Sequence, residues 1–386
     1  MNKGSYAINN LDIDVFLREY WQQKPLLIRA AMPDFDNPLS PDELAGLACE
    51  PDVESRIVSQ RGQDWQLQLG PFDEGTFAQL PEHNWTLLVQ AVDHIVPEAA
   101  ELLNYFRFIP NWRLDDVMAS YATTGGSVGP HYDNYDVFLL QGAGQRHWRV
   151  GVPFAPGDTL LPHDQLRLIE NFQSQQEWTL EPGDMLYLPP LYSHWGVALS
   201  DDCMTYSVGF RAPSQGEMLS DFCDHQIQKL SDEQRYSDAN LPRQNNPGEI
   251  SPQAIAAVQQ IIAAQLTDSE AISEWFGRYM TEVKYPLDEQ PQPTDEHWQQ
   301  QLNDAEAVYR DPASRFSFSG SGQRVSAFVN GTLHRNISRE LIELLCSAQH
   351  FSAVQINALA DGHDDNTLLQ VLLAQGSLIL DHELFD

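Results

Sequence analysis

No stretch of the sequence approaches the roughly 18 consecutive apolar residues that a membrane-crossing helix requires, so no membrane partner is expected. The opening MNKGSYAINNLDIDVF lacks the apolar region of a secretory signal, and export is not expected either. Cysteine is scarce: Cys49, Cys203, Cys223 and Cys346 are scattered without a CxxC pair. Neither a disulfide framework nor a zinc knuckle is therefore signalled, and a reducing, cytoplasmic location fits. Basic residues are few as well, 22 against 55 acidic ones, for a formal net charge of −33. Gripping a nucleic-acid backbone needs a basic footprint, so no direct nucleic-acid contact is expected. A basic polypeptide suits such a surface better, although acidity also serves solubility alone.

Core material is abundant. Hydrophobic residues make up 42% of the chain and aromatic residues 10%, with nine Trp. At 386 residues the chain exceeds what one hydrophobic core organises, so two or three domains are expected. In LDIDVFLREYWQQKPLLIRA, Ile13, Phe16, Leu17 and Tyr20 recur at helical spacing, and the helix should end before Pro25. SPDELAGLA predicts a second helix, with Ser40 as cap, Pro41 in the first turn and Glu43 closing a capping box. SRIVSQ and WQLQLG alternate as half-buried strands do, and WTLLVQAVDHIV reads as a helix packed outside the sheet.

From Leu114 to Pro213 the segments DVMASYA, VFLLQGAG, HWRVGV, MLYLPP and TYSVGFRA predict short strands parted by Gly and Pro turns, a sandwich or barrel. Beyond a boundary at Pro213 come three amphipathic helices, EMLSDFCDHQIQKL, PQAIAAVQQIIAAQL and SEAISEWFGRYMTEV. The Pro-rich YPLDEQPQPTDE reads as a linker. A small α+β module follows, with a hairpin at VNGT, a helix in SRELIELLCSA and the terminal LLQVLLAQGSLIL. No internal repeat or low-complexity run interrupts this order.

The chemistry concentrates in GGSVGPHYDNYDVFLLQGAGQRHWRV. Residues i and i+2 of an extended chain point the same way, so His131 and Asp133 can grip one ion. The best third ligand is His194 in EPGDMLYLPPLYSHWG, placed at the end of the MLYLPP strand after an EPGD turn. Two His and one carboxylate on one face of an octahedron leave three positions open. Non-haem Fe(II) oxygenases use that arrangement to take a bidentate keto acid and then dioxygen. Asp136 is a rival carboxylate, but at i+5 it points to the opposite face of a regular strand, and His147 lies well down the next strand. A keto acid's far carboxylate needs a cation deep in the barrel, and Arg146, set by the Gly142 to Gly144 turn, can meet it bidentately. Ser120 and Ser207, on flanking strands, are candidates for hydroxyl contacts to the same group. HExxH is absent, which disfavours a zinc hydrolase.

With these motifs, and with FLREYWQQKPLLIR, SPDELAGLA, DNYDVFLLQGAGQRHWRVG and YSVGFRAP, the sequence resembles the JmjC-type ribosomal oxygenases of the cupin-4 family, specifically the bacterial arginine hydroxylases among them. The resemblance places the family's HxD and distal His on His131, Asp133 and His194, and its co-substrate cation, Lys in many relatives, on Arg146. It implies a mainly β catalytic domain, a double-stranded β-helix or cupin-like jelly roll, over residues 1–213. It further implies an all-α homodimerisation region over 214–293 and a winged-helix-like module over 294–386. Fe(II), 2-oxoglutarate and O2 are the implied cofactor and co-substrates. The implied activity is hydroxylation at the β-carbon of an arginine in a basic ribosomal protein, the sixteenth of the large-subunit series. SRELIELLCSAQH holds no basic recognition helix, so the terminal module is expected to be a structural or protein-contact element. The rival readings are a JmjC hydroxylase of histidine or asparagine and a non-catalytic metal-binding cupin. The latter is expected to carry a three-His, one-Glu site.

Overall fold

Burial patterns along the strands report how many sides of each are covered. SRIVSQR alternates between buried and partly exposed positions at its start, as a strand with one covered face does, whereas every residue of CMTYSVGF is buried. The computed structural model of the chain describes residues 6–285 and 297–381 except Gln63, Asp164 and Asn240. Residues 286–296 of the Pro-rich stretch read as a linker lie outside the described residues. The chain divides into two units, Met1–Ala212 and Pro213–Asp386.

The first unit carries helices α1 (Ile13–Glu19), α2 (Pro41–Leu47), α3 (Glu74–Ala78) and α4 (Pro97–Ala100). Its strands are β1 (Leu26–Ile28), β2 (Ser55–Arg61), β3 (Asp64–Leu69), β4 (Trp85–Val89), β5 (Leu114–Ala122), β6 (Val137–Ala143), β7 (Arg146–Pro153), β8 (Gln176–Leu180), β9 (Met185–Leu188), β10 (Tyr192–Ala198) and β11 (Cys203–Phe210). They pair antiparallel into one sheet of order β1-β9-β6-β11-β5-β4-β2-β3 and a second of order β10-β7-β8. Val137, Leu139, Leu186 and Leu188 of the large sheet form one core cluster with Trp148, Val150 and Leu180 of the small one. This two-sheet closure is the sandwich that the strand spacing predicts and the double-stranded β-helix that the resemblance implies, because only facing sheets can bury both inner rows.

Ser40 and Glu43 close the capping box at the start of α2, with each side chain on the other's backbone N–H. In α1 only Phe16 of the four periodic apolar residues is fully buried, meeting Tyr187 edge-on at 4.8 Å. Leu26–Ile28 then pairs as an edge strand with β9. WTLLVQAVDHIV is not a helix. Its first half is β4, paired with β2 and β5, and Val92–His94 is a single 3-10 turn. A strand buried on both sides loses its alternation, so the apolar run looks the same as a buried helix. Strands β8 and β10 went unread, β10 because Ser, His and Gly dilute its apolar pattern.

Asp136, immediately before β6, is fully buried. It accepts from Tyr187 Oη at 2.7 Å, Gln22 Nε2 at 3.0 Å and Arg113 Nη2 at 3.0 Å. Burial and this carboxylate push the Tyr187 phenol far above its ordinary range, which keeps its proton available for the bond.

The second unit contains α5 (Gln215–Ile227), α6 (Pro252–Leu266), α7 (Ser269–Thr281), α8 (Trp298–Asp304), α9 (Arg339–Ser347), α10 (Ala353–Leu359) and α11 (His363–Ala374). Its strands are β12 (Ala307–Arg310), β13 (Phe316–Ser319), β14 (Arg324–Val329), β15 (Thr332–Ser338), β16 (His350–Ser352) and β17 (Leu378–Leu380), arranged in sheets β16-β12-β17 and β13-β14-β15. Asn330 and Gly331, both at positive φ, turn the β14–β15 hairpin as the VNGT motif predicts. Leu341, Ile342 and Leu345 of α9 share a core with Leu368, Leu369 and Leu372 of α11. Helix α7 packs on β13, β14 and β15, so it belongs structurally with the module whose start was read at residue 294. Among the described residues no helix is long and apolar enough to cross a membrane.

Asp136→Asn should lower the unfolding free energy of the first unit by about 3 kcal/mol, because Arg113 loses the charge that justifies its burial. A urea titration followed by Trp fluorescence measures this, and a variant as stable as its parent would show that Arg113 does not depend on Asp136.

Candidate metal centre

The metal centre starts from a backbone pairing. His131 and His194 form an isolated antiparallel bridge, with N–H to O=C distances of 3.0 and 2.8 Å in the two directions. Their rings therefore sit on one side, centroids 4.2 Å apart. Gly129, at φ +82°, turns the chain into this bridge. A Cβ there would meet Leu168 Cδ2 at 2.4 Å, so the turn has room only for glycine. Across the bridge, the pairing of β10 with β7 slips between Tyr192 and His194, a bulge of the kind that re-aims a side chain beside a site. His194 lies inside β10, not at the end of the MLYLPP strand as the sequence suggested. The EPGD turn is present, with Asp184 N–H on the Glu181 carbonyl at 2.9 Å.

Each imidazole is oriented by the carbonyl two residues earlier. His131 Nδ1 lies 2.9 Å from the Gly129 oxygen, and His194 Nδ1 lies 2.8 Å from the Tyr192 oxygen. A carbonyl only accepts, so both Nδ1 atoms carry the proton and both Nε2 lone pairs are left for a metal. Asp133 is held by its backbone, whose carbonyl accepts from Leu191 N–H at 2.6 Å, and its Oδ2 lies 3.6 Å from His194 Nε2. Ligand atoms of His131, Asp133 and His194 all lie within 4.8 Å of one another, the only such group among the described residues. Burial, and secondarily His131, pull the His194 imidazole down to about 4 against the opposing Asp133 charge, so near neutral pH it is in the ligating form. Asp133 also pushes the Tyr135 phenol well above its ordinary range.

The rivals are placed elsewhere. Asp136 is consumed by Arg113, Tyr187 and Gln22. His147 faces Thr179 at 3.3 Å and Glu177 at 3.5 Å across β8.

The three residues open into a cavity of about 530 Å³ that is also lined by Arg146, Ser120 and Ser207. Arg146 opens β7 and is only 3% exposed, yet its Nε and Nη2 have no hydrogen-bond partner. A permanently charged guanidinium whose buried N–H groups have no partner is costly, so the donor set fits an acid that enters from outside. Ser120 Oγ donates to the Thr205 carbonyl at 3.4 Å, and Ser207 stands two register pairs along the same strands, opposite Met118. Thr205, Thr86 and Trp148 also line it. Sequence reading passed over them, although Thr205 is two residues from Ser207, and Trp148 two from Arg146, on the same strand faces.

Comparison with known proteins agrees with this geometry. The family model described as JmjC domain matches residues 101–218, and one described as ROXA-like winged helix matches 264–379. Ribosomal protein uL16 3-hydroxylase of Escherichia coli (strain K12) is 41% identical over 276 residues, 72% of this chain and 73% of that one. A probable ribosomal oxygenase of Haemophilus influenzae is 38% identical over 274 residues, 68% of this chain and 66% of that one. The solved structure of Escherichia coli YcfD superposes with a TM-score of 0.88 at 34% identity, covering 96% of this chain and 99% of that one. A second, of YcfD with cobalt and 2-oxoglutarate, gives 0.85 at 34% identity with the same coverage. With its fold and sequence both matched along most of their length, the chain belongs to the JmjC-type ribosomal oxygenases.

Proposed function

We propose that this protein is an Fe(II)- and 2-oxoglutarate-dependent oxygenase that hydroxylates an arginine β-carbon of ribosomal protein uL16. The observation that carries the reading is the pairing, in one cavity, of a two-His, one-carboxylate group with a buried, unpartnered guanidinium. A metal site alone would suit many proteins. The additional orphan cation calls for an organic acid beside the metal. The relative that acts on uL16 supplies the substrate, and the net charge of −33 suits a basic ribosomal protein. A cytoplasmic location follows from that substrate.

In this reading Nε2 of His131, Nε2 of His194 and the Asp133 carboxylate hold Fe(II), which supplies dioxygen activation coupled to decarboxylation of the keto acid. The carbonyls of Gly129 and Tyr192 fix the ring planes and the tautomers. Arg146 receives the far carboxylate of 2-oxoglutarate, with Ser207 as a hydroxyl donor and Ser120 as a second once its O–H turns from the Thr205 carbonyl to the acid. The apolar walls, among them Leu139 and Met118, exclude water from the reacting carbon. Tyr135, protonated beside Asp133 at the cavity wall, is a donor toward the incoming peptide.

Helix α6 buries none of its residues, and Ile255, Val258, Ile261 and Ile262 are each between 42% and 52% exposed. An apolar helix face left in water calls for a partner, and a second copy of the chain satisfies it. The homodimer is thus part of the proposal.

Incubation of uL16 with the purified protein, Fe(II), 2-oxoglutarate and air should add one oxygen atom to one arginine, read by peptide mass spectrometry. Asp133→Ala or His131→Ala should add none while retaining the parent's circular dichroism. Hydroxylation by either variant would remove the ligand assignment. Arg146→Ala should raise the dissociation constant of 2-oxoglutarate by about two orders of magnitude, in line with the ~3 kcal/mol lost when a buried ion pair loses one member. An unchanged constant would place the anchor elsewhere. Sedimentation at micromolar concentration should show a dimer that Ile255→Glu with Ile262→Glu dissociates, and a monomeric parent would overturn the dimer.

A further inference from the structure

The cavity contains a second N–H donor that its own chain leaves unused. Of the buried side-chain nitrogen and oxygen atoms without a hydrogen-bond partner among the described residues, four belong to residues lining this cavity. They are Arg146 Nε, Arg146 Nη2, Trp148 Nε1 and Thr86 Oγ1. Three of the four are N–H groups, which donate and cannot accept. Trp148 is 5% exposed, so its indole N–H is also not satisfied by bulk water. A buried tryptophan ordinarily finds an acceptor. The missing partner is therefore something that enters.

The ring's setting is fixed from two sides. Trp148 pairs with Gly196 on β10 and with Trp178 on β8. A Cβ on Gly196 would lie 2.7 to 2.9 Å from Cζ3, Cη2 and Cε3 of Trp148, so the six-membered ring occupies the space a side chain would take. Those three atoms form the edge of the indole remote from Nε1, so the N–H faces away from Gly196. Along β7, Trp148 is two residues from Arg146 and on the same face. The Arg146 guanidinium carbon is 5.8 Å from its ring centre, and the His194 ring centre is 5.9 Å away on the metal side. The indole thus stands between the cation and the metal ligands.

Resting on the oxygenase reading above, we infer that Trp148 is a co-substrate-binding residue whose indole N–H donates to the same far carboxylate that Arg146 holds. Two donors from one strand face fix both oxygens of that carboxylate, and with them the tilt of the keto end at the metal. A guanidinium alone lets a carboxylate pivot in its plane. An out-of-fork indole donor removes that freedom and selects a five-carbon dicarboxylate over shorter keto acids. Gly196 is then a specificity element as well, since a side chain there would displace the ring.

The test is calorimetric titration of the full-length protein loaded with Mn(II), under argon, with 2-oxoglutarate and with 2-oxobutanoate, which lacks the far carboxylate. Parent and Trp148→Phe are compared, because Phe keeps the apolar packing and deletes the N–H. The expected result is about ten-fold weaker 2-oxoglutarate binding in the variant, the effect of losing one hydrogen bond to a charged group, with 2-oxobutanoate and Mn(II) affinities unchanged. If 2-oxoglutarate binds both proteins within about two-fold, or if both acids weaken together, the inference falls while the oxygenase reading stands. If the parent binds no 2-oxoglutarate, both fall. Should Trp148→Phe not fold, Gly196→Ala, which pushes the ring out of register, must produce the same selective loss.

Discussion

The catalytic unit depends on one backbone contact, the reciprocal hydrogen-bonded bridge between His131 and His194. It joins a glycine-rich loop to the interior of β10 and sets the two imidazoles side by side. A one-residue slip in the bridge would turn one ring to the opposite face. Several neighbouring features prevent that slip: the β10 bulge, the Leu191 N–H on the Asp133 carbonyl, and the carbonyls that hold each Nδ1. Leu191 makes its bond at φ +67°, a conformation costly for a branched residue, and here it pins the carboxylate ligand against the second histidine. Preorganisation of this kind matters because a loose ligand set would spend metal-binding energy on ordering the loops.

Two guanidiniums in the same unit, Arg113 partly and Arg146 fully buried, show how the chain assigns opposite roles to one chemical group. Arg113 meets Asp136 at 3.0 Å and is satisfied within the fold, where it ties the segment before β5 to the start of β6. Arg146 has no carboxylate, and its unpaired N–H groups open into the cavity. Desolvation penalises both. In the first case the fold repays it. In the second the fold supplies no partner, and in the proposed function the far carboxylate of the keto acid repays it. The same contrast explains why Asp136, the carboxylate nearest in sequence to the HxD pair apart from Asp133, is no rival: its oxygens are already taken.

Much of this was legible in the sequence because it depends on local rules. Ser40 and Glu43, the VNGT turn, the EPGD turn and the strands from DVMASYA to TYSVGFRA are set by capping, turn chemistry and alternation. The HxD pair with a distant His stood out by residue type and spacing. What was not legible depends on the layer above. WTLLV is a strand only because β2 and β5 flank it, and β10 is a strand only because β7 offers it an edge. The placement of His194 failed by a few residues for the same reason: the Pro189–Leu191 turn separates β9 from a strand whose apolar pattern Ser193, His194 and Gly196 dilute. Trp148 and Thr205 were passed over because a cavity wall is contributed by several strands at once, and one strand's pattern does not reveal what stands opposite.

Charge distribution completes the picture. In a chain of net −33, the described residues lining the cavity include Arg56, Arg146 and Arg167, with Asp133 as the only carboxylate among them. The long-range field therefore draws a basic protein toward the surface and opposes the approach of a dicarboxylate. That field decays within a Debye length of roughly 8 Å at physiological ionic strength, whereas the donors inside the cavity act at contact in a low dielectric. Protein substrate and small co-substrate are thus selected over different distances. The acidic exterior works on the first without weakening the second, whose proposed binding rests on contacts inside the cavity, at the metal ligands and at the buried donors.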